Sequence, residues 1–243
     1  MGGSKKFRGK TCVYCRSSKS TTADHVFPRE LFQIEQRGNL PKVPSCKECN
    51  NEKSKLEHYL TAVLPFGATH SDSKKALSVD VSKRLEKNRK LHRKLKDGFG
   101  YMLVPSSEGG QEKRLAINLD YEQLHELVGF IGRGLIWHHW NRYLPLDRSF
   151  TVFTPSLLGI EFVSDLLQKS SNLRVAVQLG DDTVRYNGVM SEIDEGISVW
   201  TILLLGGMTV FDDDLSYEFK NSFVAMITGS EKAVRNIERY ISN

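Results

Sequence analysis

A chain of 243 residues with 40% hydrophobic and 26% charged residues has the composition of a folded globular protein, which excludes disordered and collagen-like classes. No apolar run reaches membrane-spanning length; the longest, Trp200 to Phe211, is interrupted by Gly206 and Gly207 and reads as buried strand. The net charge of +5 is unevenly divided. Residues 1–110 carry 22 Lys and Arg against 11 Asp and Glu, whereas residues 111–243 carry 12 against 18, so the front half is the one expected to meet a polyanion.

The N-terminal segment, through Lys5, Lys6, Arg8 and Lys10, is basic but has no apolar stretch behind it. That is not the pattern of a secretory signal, and the expected location is cytoplasmic. All four cysteines follow early, as Cys12-Val13-Tyr14-Cys15 and Cys46-Lys47-Glu48-Cys49. Two C-x-x-C turns place four thiolates around one ion, the arrangement of a structural Zn²⁺ site. Disulfides fit poorly with a chain lacking a signal segment, and a redox pair would account for one C-x-x-C but not for both.

Between the two turns, Thr21 to Phe27 suits a strand that Pro28 ends, and Arg37-Gly38-Asn39-Leu40-Pro41 suits a loop. After Cys49, Leu56, Leu60, Val63 and Leu64 recur at helical spacing up to Pro65. The predicted order is strand, loop, strand, helix, clipped at its base by metal.

This order carries a resemblance. C-x-x-C, Asp24-His25-Val26-x-Pro28, Gly38-Asn39-Leu40 and then Pro44-x-Cys46-x-x-Cys49-Asn50-x-x-Lys53-Ser54 resembles the zinc-bearing branch of the HNH nucleases, over about residues 12–64. The third signature position is Asn50 where the family often has His, a variant that the family accepts. The resemblance implies a ββα-metal core and a metal-dependent endonuclease that hydrolyses DNA phosphodiesters, with RNA an open alternative. It implies that His25 activates water, that Asp24 and Asn50 hold a catalytic Mg²⁺ or Mn²⁺ near the helix start, and that Asn39 braces the loop and orients the base. These roles match the chemistry: imidazole titrates near neutral pH, and carboxylate and amide oxygens suit a hard cation. Lys53, one turn after Asn50, is expected to reach the phosphate. His58, two turns beyond Asn50, is read as too far away to share the ion, and His70 as packing or surface.

Leu64 to Ser73 reads as a turn-rich exit. Lys74 to Lys96 then reads as one basic amphipathic helix, with Leu77, Val81, Leu85 and Leu95 as its apolar stripe. Lys83, Arg84, Lys87, Lys90, Arg93 and Lys94 are its candidate phosphate contacts, alongside the simpler reading of a solvated helix. Gly98, Gly100 and Ser106 to Gly110 read as loops and mark a domain boundary. A helix is predicted over Tyr121–Tyr143, carrying Arg133 and the Trp137-His138-His139-Trp140 cluster, which is read as core or interface. Strands are predicted at Phe150–Phe153, Leu173–Leu179, Thr183–Tyr186, Val199–Leu205 and Phe223–Ile227, and helices over residues 156–169 and 230–241.

The expected architecture is therefore α+β. Residues 1–70 form the zinc-clipped ββα core, 71–111 a basic helix and linker, and 112–243 an α+β domain with a mainly antiparallel sheet. That last domain is expected to dimerise, bind a partner protein or regulate the nuclease. No membrane contact is expected, and the layout fits an anti-phage defence effector by analogy. The competing reading is a zinc-stabilised nucleic-acid-binding module without catalysis.

Overall fold

The computed structural model describes residues 4–68, 70–106, 109–169, 173–211 and 218–241. A short helix α1 (Ser4–Phe7) leads into the first cysteine turn. Strand β1 (Thr22–His25) then pairs antiparallel with β2 (Lys42–Ser45), with Asp24 opposite Val43 and His25 opposite Lys42. Helix α2 (Lys47–Val63) follows at once, capped by Cys46, whose sulfur accepts the Cys49 N–H. It buries Leu56, Tyr59, Leu60 and Val63, the spacing that the sequence shows. The expected strand–strand–helix order, with the second cysteine turn at the helix start, is thus present.

The basic segment is broken where one helix was expected. A 3₁₀ turn (Leu64–Phe66) and α3 (Ser71–Lys75) lie in the expected turn-rich exit. A π-helical stretch (Ala76–Val81) and α4 (Ser82–Lys87) follow, and α5 (Arg89–Gly98) starts afresh. Asn88 leaves helical geometry at φ −117° and ψ 81°, and its side chain accepts the Leu91 N–H, so it caps α5 instead of continuing α4. The expected glycine-rich loop beyond is a hairpin. Strand β3 (Phe99–Pro105) pairs antiparallel with β4 (Gln111–Ile117). Its tip holds Gly109 at φ +88° and Gly110 at φ +87°, backbone that a side chain would strain. Ser107 and Glu108, part of the expected loop, lie outside the described residues. The proposed boundary near residue 111 therefore falls on β4, not in a linker.

Helix α6 (Tyr121–Trp140) is capped by Asp120, which accepts the Gln123 N–H, and ends at Asn141 in the left-handed region. Beyond it come β5 (Arg148–Phe153), α7 (Leu157–Lys169), β6 (Arg174–Leu179), β7 (Val184–Met190) and β8 (Ser198–Leu204). The chain closes with β9 (Met208–Phe211), β10 (Glu218–Ser222), β11 (Val224–Ser230) and α8 (Glu231–Ile241). Strands β9 and β10 form a hairpin, while β5-β11-β8-β7-β6 form an antiparallel sheet in that order. The fold is α+β with antiparallel sheets, as expected. Among the described residues, no helix is long and apolar enough to cross a membrane.

Alternation along the sheet separates two apolar layers. Val152, Met226, Trp200 and Tyr186 face one side, and Phe153, Ala225, Ile227 and Val199 the other, where Val163 of α7 is also buried and Ile237 of α8 packs. The first layer is continuous with the ββα core, since Cys12, Tyr14, Phe27, Leu60, Leu135, Trp200 and Met226 belong to one cluster. Helix α6 lies in the middle of it. Gly129 faces Phe150 of β5, Gly132 faces Met226 of β11, and Gly134 faces Val26 beside β1.

Candidate active site and cysteine cluster

The first cysteine turn is closed by the Cys12 N–H on Ser18 O at 2.9 Å and by Arg16 at φ 59°, and the Val13 N–H ties it to Pro44 O of β2 at 3.0 Å. The second turn is the capping turn of α2. The four sulfurs lie within 4.8 Å of one another, and Cys15 Sγ is 3.9 Å from Cys46 Sγ. Four ligands at ~2.3 Å around a tetrahedral ion stand ~3.8 Å apart, so this spacing suits a metal such as zinc. None of the four is in a disulfide. Burial pushes the Cys46 thiol up to about 11 and Cys49 higher still, with nearby Cys12 adding to both. A bound cation relieves that by holding the thiolates.

Asp24 and His25 end β1 beside this cluster. The Tyr14 hydroxyl, on the first cysteine turn, donates to Asp24 Oδ2 at 2.6 Å. The Lys53 ammonium stands 3.2 Å from the same oxygen, donates to His25 O at 2.6 Å, and pairs with Glu57. Asp24 Oδ1 has no protein partner among the described residues. Asp24, His25, Arg29, Glu30, Ser54, Glu57 and His58 line a cavity of about 200 Å³. Burial, with the cations of Lys42 and Arg29, holds the His25 imidazole down at about 4 against the pull of Asp24. The ring is therefore neutral at pH 7. Burial also raises Glu57, although Lys53 pulls it down.

The expected site is assembled only in part. Asp24 and His25 share the cavity. Asn50 does not line it; it sits in the first turn of α2, where its N–H bonds Cys46 O. Asn39 is exposed in the loop before β2 and also stands outside. The Lys53 side chain is fully buried and its ammonium meets Asp24, His25 O and Glu57 instead of open solvent. His58, set aside from the sequence, faces the cavity with Ser54 and Glu57. The reason lies in the docking of α2 on β1. Asp24 meets the helix at Lys53, so residues 54–58, and not the first turn, front the strand end. Ser54, Glu57 and His58 share one helical face, a signal legible at i, i+3 and i+4. Tyr14, Arg29 and Glu30 gave no sequence signal of their own.

The candidate phosphate contacts divide in two. Lys83, Lys87, Lys90 and Arg93 are exposed and pair with no acidic group among the described residues. Arg84 instead donates to Thr61, and Lys94 pairs with Asp120 at 2.7 Å over the Tyr59 ring. On α6, His139 bonds the Tyr186 hydroxyl at 2.9 Å and Trp140 packs on Trp200, so that cluster is core packing. His70, read as packing or surface, bonds Asp181 O at 2.9 Å.

No protein-family model, curated protein or solved structure matches this chain. The HNH resemblance therefore rests on the motifs within residues 12–64.

Proposed function

We propose that the chain is an HNH-type endonuclease that hydrolyses DNA phosphodiesters in the cavity at the end of β1, with zinc in the cysteine cluster as a structural clip. The observation that carries this reading is a neutral, half-buried His25 beside Asp24 in a cavity large enough for a phosphate and water.

In this reading His25 takes the proton from the attacking water, which a neutral imidazole can do at pH 7. Arg29 at the cavity wall binds the phosphate charge. Mg²⁺ or Mn²⁺ held by Asp24, with water filling most of its shell, would supply positive charge at the scissile phosphate. Asp24 fits that role because Oδ1 has no protein partner. Asn50, in the first turn of α2, is not among the residues that line the cavity, whose helix-side groups are Ser54, Glu57 and His58. The exposed Lys83, Lys87, Lys90 and Arg93 add contacts to the DNA backbone without reading its sequence.

The test is nicking and linearisation of supercoiled plasmid by the wild type and by His25→Ala, with Mg²⁺ or EDTA. Cleavage should require Mg²⁺ and vanish in the variant, a loss of at least 10²-fold; an equally active variant would remove His25 from the chemistry. A second reading, a non-catalytic zinc-stabilised nucleic-acid-binding module, draws on the buried Lys53 that neutralises Asp24 and Glu57 as a scaffold would. It predicts salt-sensitive binding, indifferent to Mg²⁺, with no cleavage.

A further inference from the structure

We propose that Tyr14 is a positioning residue for Asp24, and that α6 holds Tyr14 in place, so that the rear of the chain helps to shape the cavity. The inference rests on the reading of Asp24 as the carboxylate that holds a divalent ion.

Tyr14 lies between the first two cysteines, only 3% exposed, and reaches out of the cysteine turn to Asp24 Oδ2. Its position is fixed from the other side by α6. The Phe130 ring meets the Tyr14 ring edge-on at 4.9 Å, and Arg133 Nη1 donates to Tyr14 O at 3.3 Å. Arg133 is itself anchored by Nε on Gly129 O at 3.0 Å. Further along, Arg16 donates to Leu144 O and the Tyr143 hydroxyl to Thr11 O, which closes the rear segment over the same turn.

Lys53 alone does not orient Asp24, because an ammonium attracts either carboxylate oxygen. The phenol adds direction. With Tyr14 and Lys53 both on Oδ2, Oδ1 is the oxygen left for a cation. Partners of this kind that orient a ligand typically change metal affinity by about 10–100-fold.

The experiment measures Mn²⁺ binding to the full-length, zinc-loaded protein by the loss of the free Mn²⁺ electron paramagnetic resonance signal. Wild type, Tyr14→Phe and Asp24→Asn are compared, with zinc content determined on each. Tyr14→Phe keeps the ring against Phe130 and removes only the hydroxyl. We expect it to weaken Mn²⁺ binding by about tenfold or more at unchanged zinc content, and Asp24→Asn to abolish it. Wild-type affinity in Tyr14→Phe would overturn the proposal and leave Asp24 as a ligand. Loss of zinc together with Mn²⁺ would also overturn it, because Tyr14 would then be supporting the cysteine cluster. No binding by the wild type, or full binding by Asp24→Asn, would overturn both the proposal and the metal reading of Asp24.

Discussion

Lys53 is fully buried, and its ammonium has three acceptors: His25 O, Asp24 and Glu57. Two carboxylates this close need a cation between them, since removing one partner of a buried pair leaves an uncompensated charge. Lys53→Met keeps the aliphatic stem and removes the charge. We expect it to cost about 3–5 kcal/mol, read as a Tm lower by ~10 °C. Glu57→Gln in the same chain should recover part of that loss. A Tm within a degree of the wild type would show that the two carboxylates neutralise by protonation at little cost. From the sequence Lys53, one turn after Asn50, was expected to reach a phosphate. Its burial was not legible, because it depends on how α2 docks on β1.

The elements divide by how locally they are specified. Helices α2, α6, α7 and α8 and the strands of the five-stranded sheet carry their periodicity in the chain, and the sequence places them to within a few residues. The β3–β4 hairpin was missed because Gly98, Gly100 and the Gly109–Gly110 tip read as loop, although the register between them is continuous. The break at Asn88 was missed because a capping residue inside a basic run looks like helix interior. For the cavity, Asp24 and His25 were legible as a motif, whereas the i, i+3, i+4 signal of Ser54, Glu57 and His58 was passed over because the ion had been placed at the helix start. Helix α6 shows what spacing cannot reveal: both of its faces are covered. A Cβ on Gly132 would lie 2.1 Å from Met226 Sδ, whereas one on Gly38 meets nothing within 4 Å. Gly132→Leu should cost about 1–3 kcal/mol through overpacking in thermal unfolding, with Gly38→Ala near neutral. Equal stabilities for the two variants would mean that α6 is not wedged against β11.

Among the described residues the larger apolar cluster runs from Cys12 through α6 to Trp200 and Met226. A cut after residue 111 would open β4 and uncover the face of the ββα core that α6 covers. The same continuity couples the cysteine cluster to the sheet. Stripping the metal with a chelator should lower the stability of the entire chain in one transition. Trp137, Trp140 and Trp200 report it, because all three lie on α6 or in the sheet. Tryptophan fluorescence that melts at an unchanged temperature after chelation would show two independent units instead.

The bond from Arg133 to Tyr14 spans 119 residues, and the one from Arg16 to Leu144 spans 128. A ribosome adding ~5–20 residues per second needs about 6–24 s to cover the first of these gaps. During that interval the cysteines can already gather around an ion, but the side chains that hold Tyr14 have not yet been made. Under the proposed function, a nascent chain would therefore gather its cysteines around a metal well before Asp24 is held in its final place, and cleavage would be expected only once the acidic half has been synthesised and docked.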